Sequence, residues 1–361
     1  DRFLAGTNAG KPLMREYSLH YPDLVWDLHF GVTGGEIPPE VRQYGMSFDA
    51  VLGHEFPTSE VVYHNYMRVR SLRRPVRNWI DARLQDVIDG RTKDPDRTLV
   101  HYWLRNGGLG EHFRREDIVV ECIHDLMAMS QWAYTFHRIM ALLDATRGEP
   151  VVRSWFERTM TGAPDRRDGG AFTALDRFVM ELFRTISPNA GSLSGMERQQ
   201  QLSGNAHSIV VTPHLTTSMD PRHWDNPAEF DPDRYLTAPT SVDVDDARSR
   251  QAGLARCPFG TESFAVEDGR QAELTNSVFG AVYSLVDGTA NAVCDTAGYA
   301  PFGFGYRRCP AEHLTVAFVK ELLWRVWQDG LSFVTLDLGS PERLPLGSAV
   351  VADTIAFTKA G

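Results

Sequence analysis

The chain is 361 residues long, carries a formal net charge of -10, and is 42% hydrophobic. That is enough apolar material for a substantial core, in one large domain or two ordinary ones. The acidic balance argues against nucleic-acid binding. No uninterrupted apolar run is long enough to span a bilayer. The start, DRFLAGTNAGKP, lacks the apolar core of a signal peptide, so the expectation is a soluble, cytoplasmic protein.

Residues 1–115 read as helical segments separated by Gly and Pro. The clearest is PVRNWIDARLQDVIDG, opened by Pro75 and closed by Gly90. Just upstream, RVRSLRR gathers Arg68, Arg70, Arg73 and Arg74. Such a run is either a solvated basic helix end or a dock for an acidic partner or a carboxylate. Residues 116–146 contain no Pro and no Gly. They predict one long helix, apolar over most of its girth and therefore in the core, with Glu116 and Asp117 suited to its positive N-terminus. Its polar residues, His124, Ser130 and Gln131 among them, need a reason to be there.

Residues 171–187 predict a further helix, with Leu175, Phe178, Val179, Leu182 and Ile186 at helical spacing and Pro188 as its stop. IVVTPHLTTSMD reads as strand-like, and PRHWDNPAEFDPDRYL as ordered coil. Within 237–298, FAVEDGRQAEL and VYSLVDGTANAV each place Asp-Gly between alternating residues, which predicts hairpins in a small β-rich insertion. AEHLTVAFVKELLWRVWQDG predicts a buried helix ended by Gly330, followed by a strand-rich tail.

The four cysteines are Cys122, Cys257, Cys294 and Cys309. Their spacing matches no zinc pattern and no disulfide scaffold; a Cys257–Cys294 pair is conceivable, but reduced thiols fit a cytoplasmic protein better. Cys309 stands apart, in PFGFGYRRCPAEHL, residues 301–314. Gly303 and Gly305 allow tight turns and close approach to a flat ligand. Arg307, Arg308 and the following helix N-terminus stabilise a thiolate, which is either a nucleophile or a ligand to a soft metal. A nucleophile would want a partnered histidine, and only His313 is near. A thiolate ligand to haem iron, with an arginine pairing a propionate, fits the loop better.

This loop resembles the cysteine-ligand signature of the cytochrome P-450 superfamily, F-x-x-G-x-R-x-C-x-[G/A], with Phe302, Gly305, Arg307, Cys309 and Ala311 in register. The family's E-x-x-R is matched by Glu181 and Arg184, and its later arginine-aromatic pair by Arg234 and Tyr235. Glu181 and Arg184 share a helix face, so Arg234 reaching the same carboxylate would make one buried network. The resemblance covers residues 116–330. It implies a mainly α fold with small β-sheets in a single large haem-thiolate domain, and haem b bound by Phe302, Gly303, Gly305, Arg307, Cys309 and Ala311. It further implies a monooxygenase that oxidises a small organic molecule with O2 and electrons from a ferredoxin- or flavoprotein-type donor. A peroxide-using or hydroperoxide-rearranging enzyme, and a non-catalytic haem-binding accessory protein, are the alternatives.

Three departures accompany the resemblance. The family's N-terminal sheet and early helices have no counterpart in this chain. Where the family's long helix carries an acid and an alcohol above the iron, this chain in register reads Ser130, Gln131 and Trp132; an amide and an indole do not relay protons as that pair does. A shifted register would instead make Ser130 or Thr135 the alcohol. Finally, the 237–298 segment is longer than usual; it is either surface elaboration or a cover on the donor face or a subunit contact.

Overall fold

The computed structural model describes residues 4, 6–52, 60–92, 95–107, 114–168, 172–186, 191–196, 208–222, 224–236, 241–242, 272–276, 281–286, 289–295, 299, 301–302, 309, 311–346 and 349–359. It is mainly helical with a few small antiparallel sheets. The chain divides into two compact units, residues 1–147 with 332–361, and residues 148–331. No described helix is long and apolar enough to cross a membrane.

The first unit is built on α1 (Met14–Phe30). Met14, Tyr17, Tyr21, Val25 and Trp26 recur every three or four positions and are buried, which is the stripe a core helix needs. Against it pack α2 (Pro39–Leu52), α3 (Glu60–Ile88), α4 (Leu99–Gly107), α5 (Arg115–Ser130) and α6 (Trp132–Leu142). Tyr17 meets Phe136 edge-on at 5.3 Å, and Trp26 meets Trp79 at 5.1 Å. The C-terminal strands close the unit. β7 (Leu331–Thr335) pairs with β10 (Ile355–Lys359), and β8 (Arg343–Leu346) with β9 (Ala349–Ala352). Buried Asp353 accepts the backbone N–H groups of Met14 and Arg15 at 3.1 and 3.0 Å, satisfying donors that the start of α1 leaves unpaired.

Two sequence expectations need correcting here. Pro75 does not open a helix but lies inside α3, which begins at Glu60 and so takes in RVRSLRR. Proline removes one hydrogen bond to the carbonyl four residues back. That carbonyl belongs to Ser71, an exposed residue, so water replaces the lost donor cheaply. The second correction concerns residues 116–146, which are not one helix. α5 ends at Ser130, Gln131 forms a tight turn with φ -63° and ψ -20°, and α6 runs from Trp132 only to Leu142. The Gln131 N–H reaches back to Ala128 O at 3.3 Å, and Thr135 Oγ1 donates to Gln131 O at 3.4 Å. Such back-bonding often accompanies a bend. Past Leu142, buried Asp144 gathers the N–H groups of Thr146 and Arg147 and the Thr335 hydroxyl, while the Ala145 N–H joins Phe333 O. The chain leaves the helix to follow β7.

The second unit centres on α8 (Ala174–Ile186), with α7 (Pro150–Thr161), α9 (His214–Ser218) and α10 (Glu312–Gln328) packed against it. Nearly every α8 side chain is buried. A reciprocal cap starts it: the Thr173 N–H donates to Asp176, and the Asp176 N–H to the Thr173 hydroxyl. β1 (Gly191–Met196) and β2 (Ser208–Pro213) form an antiparallel pair with Gly191 opposite Pro213. Only the first half of IVVTPHLTTSMD is strand; from His214 it turns helical. The insertion contains an antiparallel sheet ordered β3 (Ser241–Val242), β4 (Ala272–Asn276), β5 (Ala281–Val286), β6 (Thr289–Asp295). Val286 pairs with Thr289, leaving the two residues that the second Asp-Gly signal asks for. The first Asp-Gly hairpin, Cys257 and the rest of the insertion lie outside the described residues.

His137 on α6 gives a measurable consequence. Burial, helped by the Arg138 charge, lowers its pKa to about 4, and its Nδ1 is buried without a hydrogen-bond partner. A histidine depressed in the fold contributes stability that is complete above its unfolded value, near 6.5, and is lost as pH falls towards 4. The loss should total roughly 2–4 kcal/mol. Denaturant melts from pH 7 to 4 should show it, and His137→Gln should flatten that slope; an unchanged slope would refute the assignment.

Candidate functional site

The second unit holds a buried carboxylate with five donors aimed at it. Glu181 and Arg184 lie three apart on α8 and both are fully buried. Arg184 Nε donates to Glu181 Oε2 at 2.8 Å and Nη2 to Oε1 at 2.7 Å, a two-pronged pair of the strong, charge-assisted kind. The Asp231 N–H reaches Oε1 at 2.9 Å, Arg234 Nε reaches the same oxygen at 3.2 Å, and the Tyr235 hydroxyl reaches Oε2 at 3.0 Å. Burial, then the Glu181 charge, pushes the Tyr235 phenol well above its ordinary value, so it stays a donor. Burial alone would lower the Arg184 pKa, but the hydrogen bond and charge of Glu181 outweigh it and raise the value.

Two guanidinium groups exceed one carboxylate, and backbone carbonyls absorb the surplus. Arg184 also donates to Ser218 O, Pro227 O and Glu229 O, at 3.0, 2.8 and 2.9 Å. Arg234 donates to Asp225 O and Glu229 O at 3.0 and 3.1 Å. Both lie near the Trp224 ring, at 5.3 and 5.8 Å. The Pro-rich coil, with the short 3-10 turn Pro232–Tyr235, is thus ordered by arginine rather than by a backbone ladder.

The same helix anchors the start of the cysteine loop. The Tyr299 hydroxyl donates to Met180 O at 3.2 Å, and Phe302 packs on Phe183 with centroids 5.1 Å apart. The Cys309 N–H returns to Phe302 O at 2.9 Å. Cys309 is half-buried, lies outside any disulfide, and comes just before α10, whose first turn starts after Ala311. Gly303, Gly305, Arg307 and Arg308 lie outside the described residues, as do the side chains of His313 and Cys294.

No family model and no curated protein sequence matches the chain. Solved structures do match. A cyanobacterial CYP120A1 with retinoic acid bound is 14% identical at a TM-score of 0.58, aligning 97% of this chain with 68% of that one. Cytochrome P450EX alpha (CYP152N1) with myristic acid is 13% identical at 0.52, over 96% and 69%. A zebrafish cytochrome P450 with abiraterone is 15% identical at 0.56, over 98% and 72%. The chain has the cytochrome P450 fold.

Within this P450 fold the first unit contributes the broken helix. Gln131 is exposed, Trp132 is buried, and the Ser130 side chain lies outside the described residues. What Gln131 offers at the break is its backbone carbonyl, the acceptor for Thr135. Thr135 itself is buried. The sequence reading named Ser130, Gln131 and Trp132, with Ser130 or Thr135 in a shifted register as the alternative. The sequence also gave no role to Tyr299 or Trp224, which complete the aromatic wall around Tyr235 at 6.2 and 6.1 Å.

Removing Glu181 should expose the cost of this network. Breaking a buried ion pair from one side typically costs about 3–5 kcal/mol, because Arg184 would stay buried without its counter-charge. Glu181→Ala is expected to melt at much lower urea than the parent. Tyr235→Phe, which loses one bond to a charged group, should cost about 1.5–3 kcal/mol. Parental melting of Glu181→Ala would remove the network's claim to hold the unit together.

Proposed function

We propose that this chain is a haem-thiolate oxidoreductase of the cytochrome P450 family, with Cys309 as the axial ligand of haem b, acting as a monooxygenase on a small apolar or amphipathic organic molecule. The observation that carries the reading is the linkage from the Glu181 network through Met180 and Phe183 to Tyr299, Phe302 and Cys309. An axial thiolate needs one cysteine outside a disulfide, accessible to a ligand, with its backbone fixed beforehand. Cys309 meets those needs. Cys122 does not: it is fully buried, and burial followed by the Asp125 and Glu121 charges pushes its thiol well above the ordinary range. When bound, the haem supplies the redox iron that oxidises carbon with O2 and two electrons.

The residues of the chain do the rest. Cys309 would hold the group through sulfur, with Phe302, Gly303, Gly305, Arg307 and Ala311 as the rest of its cradle and Arg307 as the partner of a propionate. Thr135 Oγ1, rather than the Gln131 amide, is the group assigned to hold and pass protons, since a hydroxyl exchanges its proton and accepts another. A ferredoxin- or flavoprotein-type donor supplies electrons. The ligands named for the neighbouring structures, retinoic acid, myristic acid and abiraterone, are all largely apolar, which supports the substrate class.

The test is spectral, then kinetic. The purified holoprotein should give the ferrous–CO band of thiolate ligation, and Cys309→Ala should lose it while Cys122→Ala and Cys294→Ala keep it. Thr135→Val should then lower the fraction of consumed electrons recovered as product by about tenfold, and Gln131→Ala should change it little. Turnover with peroxide but none with O2 and a donor would favour the peroxide-using reading. A thiolate band with no turnover under either regime would favour an accessory haem-binding role.

A further inference from the structure

Helix α3 behaves as two different helices joined at Pro75. Beyond it, Val76, Ile80 and Leu84 are fully buried at four-residue spacing. The charges there are paired, Asp81 with Arg115 and Arg83 with Asp86. Before Pro75 none of the described side chains is buried. Tyr63, Tyr66 and Met67 are 60%, 50% and 42% exposed. Arg68, Arg70 and Arg74 are exposed and make no ion pair among the described residues. From Val61 to Ile80 the sequence contains no Asp, Glu or Lys.

Helical spacing sorts these residues. Tyr63, Tyr66, Met67, Arg70 and Arg74 fall at intervals of three and four and share one stripe, about 16 Å long at 1.5 Å per residue. Arg68 points to another side. The helix half packs by another side, where Val69 and Leu72 are half-buried, and the stripe itself stays exposed at each of its residues. Its composition identifies the class of partner. Tyr, Met and Arg are enriched, and Lys, Glu and Asp depleted, at the centres of protein–protein contacts. A helix lying on lipid separates its apolar and cationic faces; here they share one. A second copy pairing symmetrically through this stripe would set arginine against arginine, whereas a short acidic segment brings the opposite charge within the roughly 10 Å over which exposed charges act.

We propose that the stripe from Tyr63 to Arg74 docks a short acidic peptide segment of a partner protein, its carboxylates on Arg70 and Arg74 and an aromatic or aliphatic anchor on Tyr63, Tyr66 and Met67. The test uses the full chain with haem and a fluorescein-labelled peptide of Glu and Asp with one central Phe, read by fluorescence anisotropy. Binding should weaken as salt rises. Arg70→Glu with Arg74→Glu should weaken it at least about tenfold, and Tyr63→Ser with Tyr66→Ser by a similar factor. Arg68→Glu, off the stripe, should change it less than about threefold. All variants should melt with the parent, since these side chains are exposed. No binding by the parent, or equal loss with Arg68→Glu, overturns the proposal. Co-sedimentation with phosphatidylserine vesicles in the absence of peptide binding would replace the peptide with a lipid surface. A dimer in sedimentation velocity that the stripe variants dissolve would replace it with a second copy.

Discussion

A single buried carboxylate organises the second unit. Taking Glu181 out of water costs several kcal/mol even after relaxation, and an ion pair with Arg184 alone would not satisfy four lone-pair sites. Five donors do so, drawn from α8 itself, the backbone at Asp231, Arg234 and Tyr235. The three donors from outside α8 come from a segment that has no regular structure of its own to order it. The 3-10 turn Pro232–Tyr235 is too short to stand alone, and the coil before it has no strand or helix partner. The carboxylate therefore acts less as a stabilising contact than as a fixed point on which irregular chain is hung.

Order passes from that point to the cysteine by short steps. Met180 and Phe183 flank Glu181 on α8; one takes the Tyr299 hydroxyl and the other the Phe302 ring. The Cys309 N–H then closes on Phe302 O. A change at Glu181 would be felt at the thiol without any direct contact, because the helix that carries the charge also carries the anchors. The Cys309 backbone is thus held by rigid elements, the pre-organisation that its proposed role as a metal ligand would call for.

The sequence showed this unit more plainly than the first one. The helical spacing from Leu175 to Ile186, the Glu181–Arg184 interval and the Arg234–Tyr235 pair each read as local pattern, and charge-assisted contacts leave few alternatives for such residues. Tyr299 and Trp224 were not legible, because an aromatic residue in coil carries no period. In the first unit the failures share a cause. Pro75 looked like a helix start because proline penalties assume a buried ladder, whereas this ladder is exposed. Residues 116–146 looked continuous because the break at Gln131 uses no Gly or Pro. It is confined to Gln131, which keeps right-handed helical angles, and a glutamine there announces nothing.

Thr135 lies four residues past that turn, and its bonding bears on what its hydroxyl is able to do. A hydroxyl has one proton to donate and two lone pairs to receive with. Donation to Gln131 O, at a long 3.4 Å, occupies the proton and leaves the lone pairs of the buried hydroxyl to accept. Towards a bound water or a substrate hydroxyl it is therefore first an acceptor. It becomes a donor only by giving up its contact with Gln131 O. In the proposed relay the hydroxyl would turn away from that carbonyl, which keeps the Thr135 backbone N–H as its donor at 3.4 Å, so a proton could pass without the helix changing course.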